Sequence, residues 1–321
     1  MGTARTVNEM FSEQVVANGD RVALRWKAGG SWKTASWKDW DAKSRAVAAA
    51  LAAVGVEPKD RVAIMSNSRR EWVEADIGIL FAGAATVPIY QSNTPDQAEY
   101  ILNDSEAKVL FVEDPTQIEK LYEPEVRPKL GGIRKVVYFD AARKLDAPDR
   151  KGRLEVQLTD VVPEADRAWF VSYEAFLASG RDEAKKREGD LRARMEGAKP
   201  EDVCTIVYTS GTTGPPKGVV LTHDNFVFEC EGVYDLLGLG PNDEQLLFLP
   251  LAHIFAKILM VTSIRVGSSI AFAESLLKAV DNAGEVRPTF MGSVPRLYEK
   301  IHTTIVAGAQ AAGGLKLKIF R

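Results

Sequence analysis

Cysteine and histidine are scarce in this sequence of 321 residues, at two and three respectively. Cys204 and Cys230 stand far apart and match no metal-ligand spacing, so a zinc module and a disulfide scaffold are both excluded. Two buried thiols in a reducing compartment is the expectation. Charge of one sign is also missing: 41 basic and 44 acidic side chains leave a net charge of −3, which argues against nucleic acid as a partner. No apolar run approaches the ~18 residues of a membrane span. Met1 to Phe11 is polar and lacks the apolar centre of a signal peptide. A cytoplasmic protein is expected. What is there is ordinary globular composition, 45% hydrophobic and 26% charged, at a length sufficient for more than one packed core.

Local signals alternate between strand and helix. Ser36 to Val54 reads as a helix opened by a Ser36/Asp39 capping box, with Trp40, Ser44, Val47, Leu51 and Val54 on one face and Gly55 as its stop. Strands are expected at 61–66, 86–90, 108–112 and 135–139, with helices at 71–82 and from Thr94-Pro95 to about Asp104. Alternation resumes with strands at 203–208, 246–249, 268–273 and 289–292 and helices at 254–266, 274–283 and 295–307. This is the pattern of βαβ units on a parallel sheet. The stretch 140–199 differs, and its mixed-sign run Arg181 to Glu188 reads as a solvated helix; interleaved acids weaken a membrane-facing alternative. The expected division is an α/β subdomain over 1–200, with the charged insertion at about 140–199, and a second α/β subdomain over 201–321 that begins with a glycine-rich loop and is incomplete at its C-terminus.

That loop carries the chemistry. Between Val203–Tyr208 and Val219-Val220-Leu221 lies Thr209-Ser210-Gly211-Thr212-Thr213-Gly214-Pro215-Pro216-Lys217-Gly218. Glycines let backbone N–H groups approach an anion, hydroxyls add donors without bulk, and Lys217 adds a compact mobile cation. It is not a Walker A loop, because Pro216 precedes Lys217 and Gly218 follows it. A Gly/Thr/Pro hairpin that binds nothing is the plain alternative. Two glycines, four hydroxyls and a lysine within nine residues argue for polyphosphate.

The sixteen residues from Tyr208 to His223 resemble the phosphate-loop signature of the adenylate-forming superfamily. Phe248-Leu249-Pro250-Leu251-Ala252-His253-Ile254-Phe255 is similar to that family's next signature, and 61–112 and 290–300 resemble its long-chain fatty acid branch. The resemblance covers most of 7–300 and is weakest over 140–199. It implies the βαβ-built N-terminal part of the adenylate-forming fold, with the C-terminal lid absent. The implied reaction is ATP-dependent activation of a long-chain fatty acid to acyl-adenylate, then transfer to coenzyme A. By the same resemblance Thr209, Ser210, Gly211, Thr212, Thr213 and Gly214 wrap the β- and γ-phosphates, Lys217 balances charge, and Thr209 joins a Mg²⁺ shell. His253 and Phe255 border the acyl carboxylate, and Lys217 and His253 are the catalytic candidates. The family's Tyr-Gly-x-Thr-Glu stretch, later ribose-binding Asp and lid lysine are not in these 321 residues, and Lys316 and Lys318 lie too early to replace the last. A fragment inactive alone is therefore expected. An adenylating enzyme for another carboxylic acid, and a non-catalytic acyl- or nucleotide-binding module, are the alternatives. Peripheral membrane contact and a homodimer are left open.

Overall fold

The computed structural model describes residues 4–209 and 215–295, with isolated positions from 298 to 310. Helix α1 (Val7–Asn18) leads into a hairpin, β1 (Val22–Ala28) and β2 (Ser31–Ser36). Gly29 and Gly30 at its turn both take positive φ, as a tight two-residue connection demands. Next come α2 (Trp37–Ala53), β3 (Arg61–Met65), α3 (Arg70–Phe81), β4 (Ala85–Ile89), α4 (Pro95–Asp104) and β5 (Val109–Val112). Short α5 (Pro115–Glu119) precedes β6 (Lys135–Tyr138). The stretch that reads as an insertion holds the small hairpin β7 (Ala142–Lys144) and β8 (Glu155–Gln157), then α6 (Leu158–Val161), β9 (Phe170–Ser172), α7 (Tyr173–Lys186) and α8 (Glu188–Glu196). After β10 (Val203–Thr209) and β11 (Lys217–Thr222) follow α9 (His223–Leu237), β12 (Glu244–Leu247), α10 (Ile254–Val266), β13 (Ser269–Phe272) and α11 (Ala279–Val286).

Two main sheets organise these elements. One runs β11-β10-β4-β3-β5-β6-β9, parallel throughout except for the antiparallel edge strand β11. The other runs β12-β13-β1-β2, in which β1 lies parallel to β13. A boundary at residue 200 therefore runs through both sheets. Strands β10 and β11 complete the sheet built mainly from earlier residues, and the N-terminal hairpin completes the sheet built from later ones, because strand pairing between distant segments leaves no local mark.

The α2 capping box is present: Ser36 Oγ accepts the Asp39 amide at 3.1 Å and Asp39 Oδ2 accepts the Ser36 amide at 2.8 Å. The Ser36 amide first, and then the Ser36 hydroxyl, which donates to the same Oδ2 at 2.7 Å, hold the Asp39 carboxyl below its usual range. α2 lies between α3 and α7, and glycine allows the approach on both sides. A Cβ at Gly78 would strike Val47, and one at Gly180 would overlap the carbonyl of Ala46. The charged run 181–188 is solvated as expected, with Glu183 pairing Lys186 and Arg187. Its helix is not wholly solvated, however, because Tyr173, Phe176, Leu177 and Gly180 are buried. Phe11, Trp37, Trp40 and Phe81 form an aromatic knot joining α1, α2 and α3, with Phe11 edge-on to Trp40 at 4.9 Å.

α3 contacts strands of both sheets and is buried all round, Glu71, Glu74 and Asp76 included. An apolar stripe alone does not describe it. Asp76 Oδ1 accepts from Lys257 Nζ of α10 at 2.9 Å and from Thr86 Oγ1 of β4 at 2.6 Å. Lys257 is 1% exposed and its ammonium lies 5.7 Å from the ring centres of both Trp72 and Phe226. Two further expectations change. α11 starts at Ala279 rather than Glu274, whose carboxylate instead accepts from Asn282 Nδ2 at 3.0 Å. Residues 289–292 make one bridge, Phe290 to Gln245, in place of a strand. The helix expected over 295–307 falls largely outside the described residues.

Two stability outcomes follow. Lys257→Met alone strands the Asp76 carboxylate and should cost about 3–5 kcal/mol in urea unfolding, whereas Lys257→Met with Asp76→Leu should recover most of that. Gly180→Ala should cost about 1–3 kcal/mol by forcing α7 off α2. Both are read from urea midpoints.

Candidate active site

β10 and β11 form an antiparallel hairpin whose turn lies at the carboxyl end of the parallel strands β10 and β4, where open α/β sheets bind ligands. The local sequence explains its shape. Tyr208 sits opposite Gly218, where a Cβ would come within 2.9 Å of Ile206 and 3.1 Å of the Tyr208 ring. Glycine is thus required for the ring to lie across the neighbouring strand. The Tyr208 hydroxyl donates to Asp104 Oδ2 of α4 at 2.6 Å, which fastens the hairpin to the first βαβ units. Burial, and then this bond, push the Tyr208 phenol above its usual pKa.

Thr209 and Lys217 are direct cross-strand partners, and both are exposed. Directly paired residues share a face with their Cβ atoms roughly 4.5–5.5 Å apart, so a hydroxyl and an ammonium stand together at the mouth of the turn. Ser210, Gly211, Thr212, Thr213 and Gly214 lie outside the described residues.

His253 and Phe255 stand at the start of α10. His253 is the N-cap: its Nδ1 accepts the Phe255 amide at 3.2 Å, leaving Nε2–H as the outward donor of the neutral ring. Capping and an outward-facing role are therefore compatible in one side chain. Phe255 is 37% exposed. Ser68, just past β3, holds the loop that delivers them. Its Oγ donates to the Leu249 carbonyl at 2.7 Å and accepts the Leu251 amide at 2.8 Å. The carboxyl ends of β3 and β12, from different sheets, are thereby joined. Sequence reading passed over Ser68; a small polar residue directly after a strand of a parallel sheet is the signal that marks such a position. It also passed over Lys257, one turn beyond His253.

Among the described residues no three His, Cys, Asp or Glu side chains gather to hold a metal. A Mg²⁺ at the hairpin would be carried by triphosphate oxygens, with the Thr209 hydroxyl as a protein ligand, a mode suited to an ion that keeps waters and binds through substrate phosphates. Cavities of about 670, 350 and 940 Å³ lie elsewhere and are lined by none of the expected site residues. Cys204 and Cys230 are buried and unpaired in any disulfide, and burial pushes both thiols up to about 12. No helix among the described residues is long and apolar enough to cross a membrane.

The AMP-binding enzyme family matches residues 11–319. The chain belongs to that family. Relatives include the long-chain-fatty-acid–CoA ligase ACSBG2 of Gallus gallus, 31% identical over 98% of this chain and 39% of its own length. FadD15 of Mycobacterium bovis, also a long-chain-fatty-acid–CoA ligase, is 31% identical over 98% of this chain and 47% of its own length. The chain thus spans less than half the length of these curated AMP-binding relatives. Among solved structures, the anthranilate CoA ligase AuaEII with anthranoyl-AMP aligns over 93% of this chain and 51% of its own, with a TM-score of 0.70 at 19% identity. The N-terminal domain of FACL13 from Mycobacterium tuberculosis aligns over 92% and 64%, with a TM-score of 0.65 at 19% identity. The mixed α/β architecture is therefore that of the N-terminal part of the AMP-binding fold.

Two outcomes test the geometry. Ser68→Ala removes both bonds that pin 249–251 and should cost about 1–3 kcal/mol, with faster amide exchange confined to that loop. His223, whose Nδ1 accepts the Val7 amide, is pushed from 6.5 down to about 4 by burial first; Lys257 nearby adds to this, and Asp202, Asp76 and Glu9 oppose it. The fold favours the neutral ring, so this contribution is full above pH 6.5 and is lost as pH falls toward 4. It should amount to about 3 kcal/mol. Urea midpoints from pH 7 to 4.5 should fall less steeply for His223→Asn, which keeps an acceptor for Val7 but does not titrate.

Proposed function

We propose that this chain supplies the ATP-phosphate loop and the acyl-facing loop of a long-chain fatty acid–CoA ligase. The hairpin carries the reading: Thr209 beside Lys217 at the carboxyl end of the parallel sheet, in a chain whose relatives bear that ligase name. In the proposed reaction a fatty acid carboxylate attacks the α-phosphorus of ATP, giving acyl-adenylate and pyrophosphate. The thiolate of coenzyme A then attacks the acyl carbon and releases AMP. Both reactants of the first step are anions, so the barrier falls when charge is neutralised and the attack is held in line. Lys217 takes the charge on the β- and γ-phosphates, within the wrap of Thr209 to Gly214. Bound Mg²⁺ would neutralise further phosphate charge. His253 offers Nε2–H to the carboxylate end of the acyl chain, and Phe255 gives it an apolar border. The reading divides the chain's work between a phosphate-holding hairpin from one sheet and an acyl-facing loop from the other.

Ligand titration tests the assignment. A non-hydrolysable palmitoyl-adenylate analogue should bind the chain more tightly than the anthranoyl and aspartyl analogues; the reverse order would assign the pocket to aryl or amino acids. Lys217→Ala should weaken ATP binding roughly tenfold and slow pyrophosphate exchange in a full-length ligase about a hundredfold, or about 3 kcal/mol, with the urea midpoint unchanged. Acyl-CoA formation from palmitate, ATP and coenzyme A by the 321-residue chain alone should stay below about a tenth of a full-length ligase.

A further inference from the structure

His223 ends the sixteen-residue signature stretch but sits at the opposite end of β11 from the turn. Counted along β10 from Val203 to Thr209, the two ends are roughly 20 Å apart. His223 is 3% exposed, and the Val7 amide donates to its Nδ1 at 3.3 Å. That bond sets the neutral tautomer with the proton on Nε2. Nε2 has no hydrogen-bond partner among the described residues, yet it is not one of the sealed, partnerless polar atoms of the interior. Its ring lines a cavity of about 350 Å³ between the start of β10, the turn at Pro58 and Lys59, and the end of α8.

The polar groups around this cavity are unevenly committed. Its acceptors are engaged: Asp190 takes Arg194 at 3.0 Å, and Asp202 Oδ2 takes the Lys199 amide at 2.8 Å. Its donors are less firmly held. Lys59 is 82% exposed and makes one long ion pair, 3.7 Å to Asp202 Oδ1, and the Lys199 ammonium joins no ion pair among the described residues. Arg194 is occupied by Asp190, Glu57 and the Val56 carbonyl. A fixed N–H at the base, two mobile cations at the rim and no free carboxylate suit an anionic oxygen group. The volume is at the lower end of ligand pockets, which span roughly 300–1,000 Å³.

We propose that this cavity binds the oxyanion group, phosphate or carboxylate, of a small metabolite, with His223 Nε2–H as the buried donor and Lys59 and Lys199 closing over it. The site is separate from the phosphate hairpin and does not depend on the ligase reading. The test is a titration of the isotopically labelled chain with inorganic phosphate, and separately with acetate, at ionic strength held constant with sodium chloride. The His223 Nε2–H resonance should shift saturably with a millimolar dissociation constant, and the tighter of the two ions identifies the head group. Lys59→Met with Lys199→Met should weaken that binding roughly tenfold without moving the thermal midpoint. Lys217→Ala should leave it unchanged. A shift no larger than with sodium chloride alone, binding retained by the double lysine variant, or loss of the effect in Lys217→Ala would each overturn the proposal.

Discussion

The buried ion pair between Lys257 and Asp76 is the contact on which the site geometry rests. Burying either charge alone is costly, and the pair is tolerable because Asp76 Oδ1 also accepts from Thr86 and because Lys257 lies against two aromatic rings. Asp76 Oδ2 has no partner among the described residues, so the pair is not a net source of great stability. Its contribution is positional. It fixes α10 against α3 and β4, joining an element of the second sheet's layer to a strand of the first. His253 caps α10 one turn away, so the orientation of that helix also sets the direction of the histidine's outward N–H.

Other contacts refine what the pair establishes. Ser68 holds the loop before His253 to the end of β3, and the Tyr208–Asp104 bond holds the phosphate hairpin to α4. Tyr208 and Asp104 lie on regular elements and Ser68 directly follows one, whereas the groups proposed to face ligand, Thr209, Lys217 and the His253 Nε2–H, are exposed. A rigid frame with accessible tips suits the proposed function, in which the site would admit a nucleotide and a long acyl chain.

Much of this architecture was legible because it is written locally. The Ser36/Asp39 box, the Thr94-Pro95 start and the apolar run 254–266 specify α2, α4 and α10 through caps and periodicity. The β10–β11 hairpin was legible from the apolar runs 203–208 and 219–221 on either side of the glycine-rich loop. What escaped notice is non-local or masked by composition. The hairpin β1–β2 has its meaning only once β13 is beside it, and β9 is three residues long. α9 carries Glu229, Glu231 and Gly232 where an apolar stripe would be sought. Lys257 reads as one stray cation in an apolar helix until Asp76 is found opposite it.

The pairing of β1 with β13 has a consequence for how the chain is made. Leu24 lies beside Ile270, so roughly 250 residues separate partners in one parallel ladder, a large loop-closure cost before any contact repays it. On the ribosome the N-terminal hairpin emerges early and must wait, with one edge of β1 unpaired, until β13 has been synthesised. At ~5–20 residues per second that interval is on the order of 12–50 s. During it the seven-stranded sheet can be largely assembled, but the four-stranded one cannot. Ala23 and Leu24, later sealed in the core, are exposed meanwhile. Until then they offer an apolar strand edge of the kind that chaperones cover.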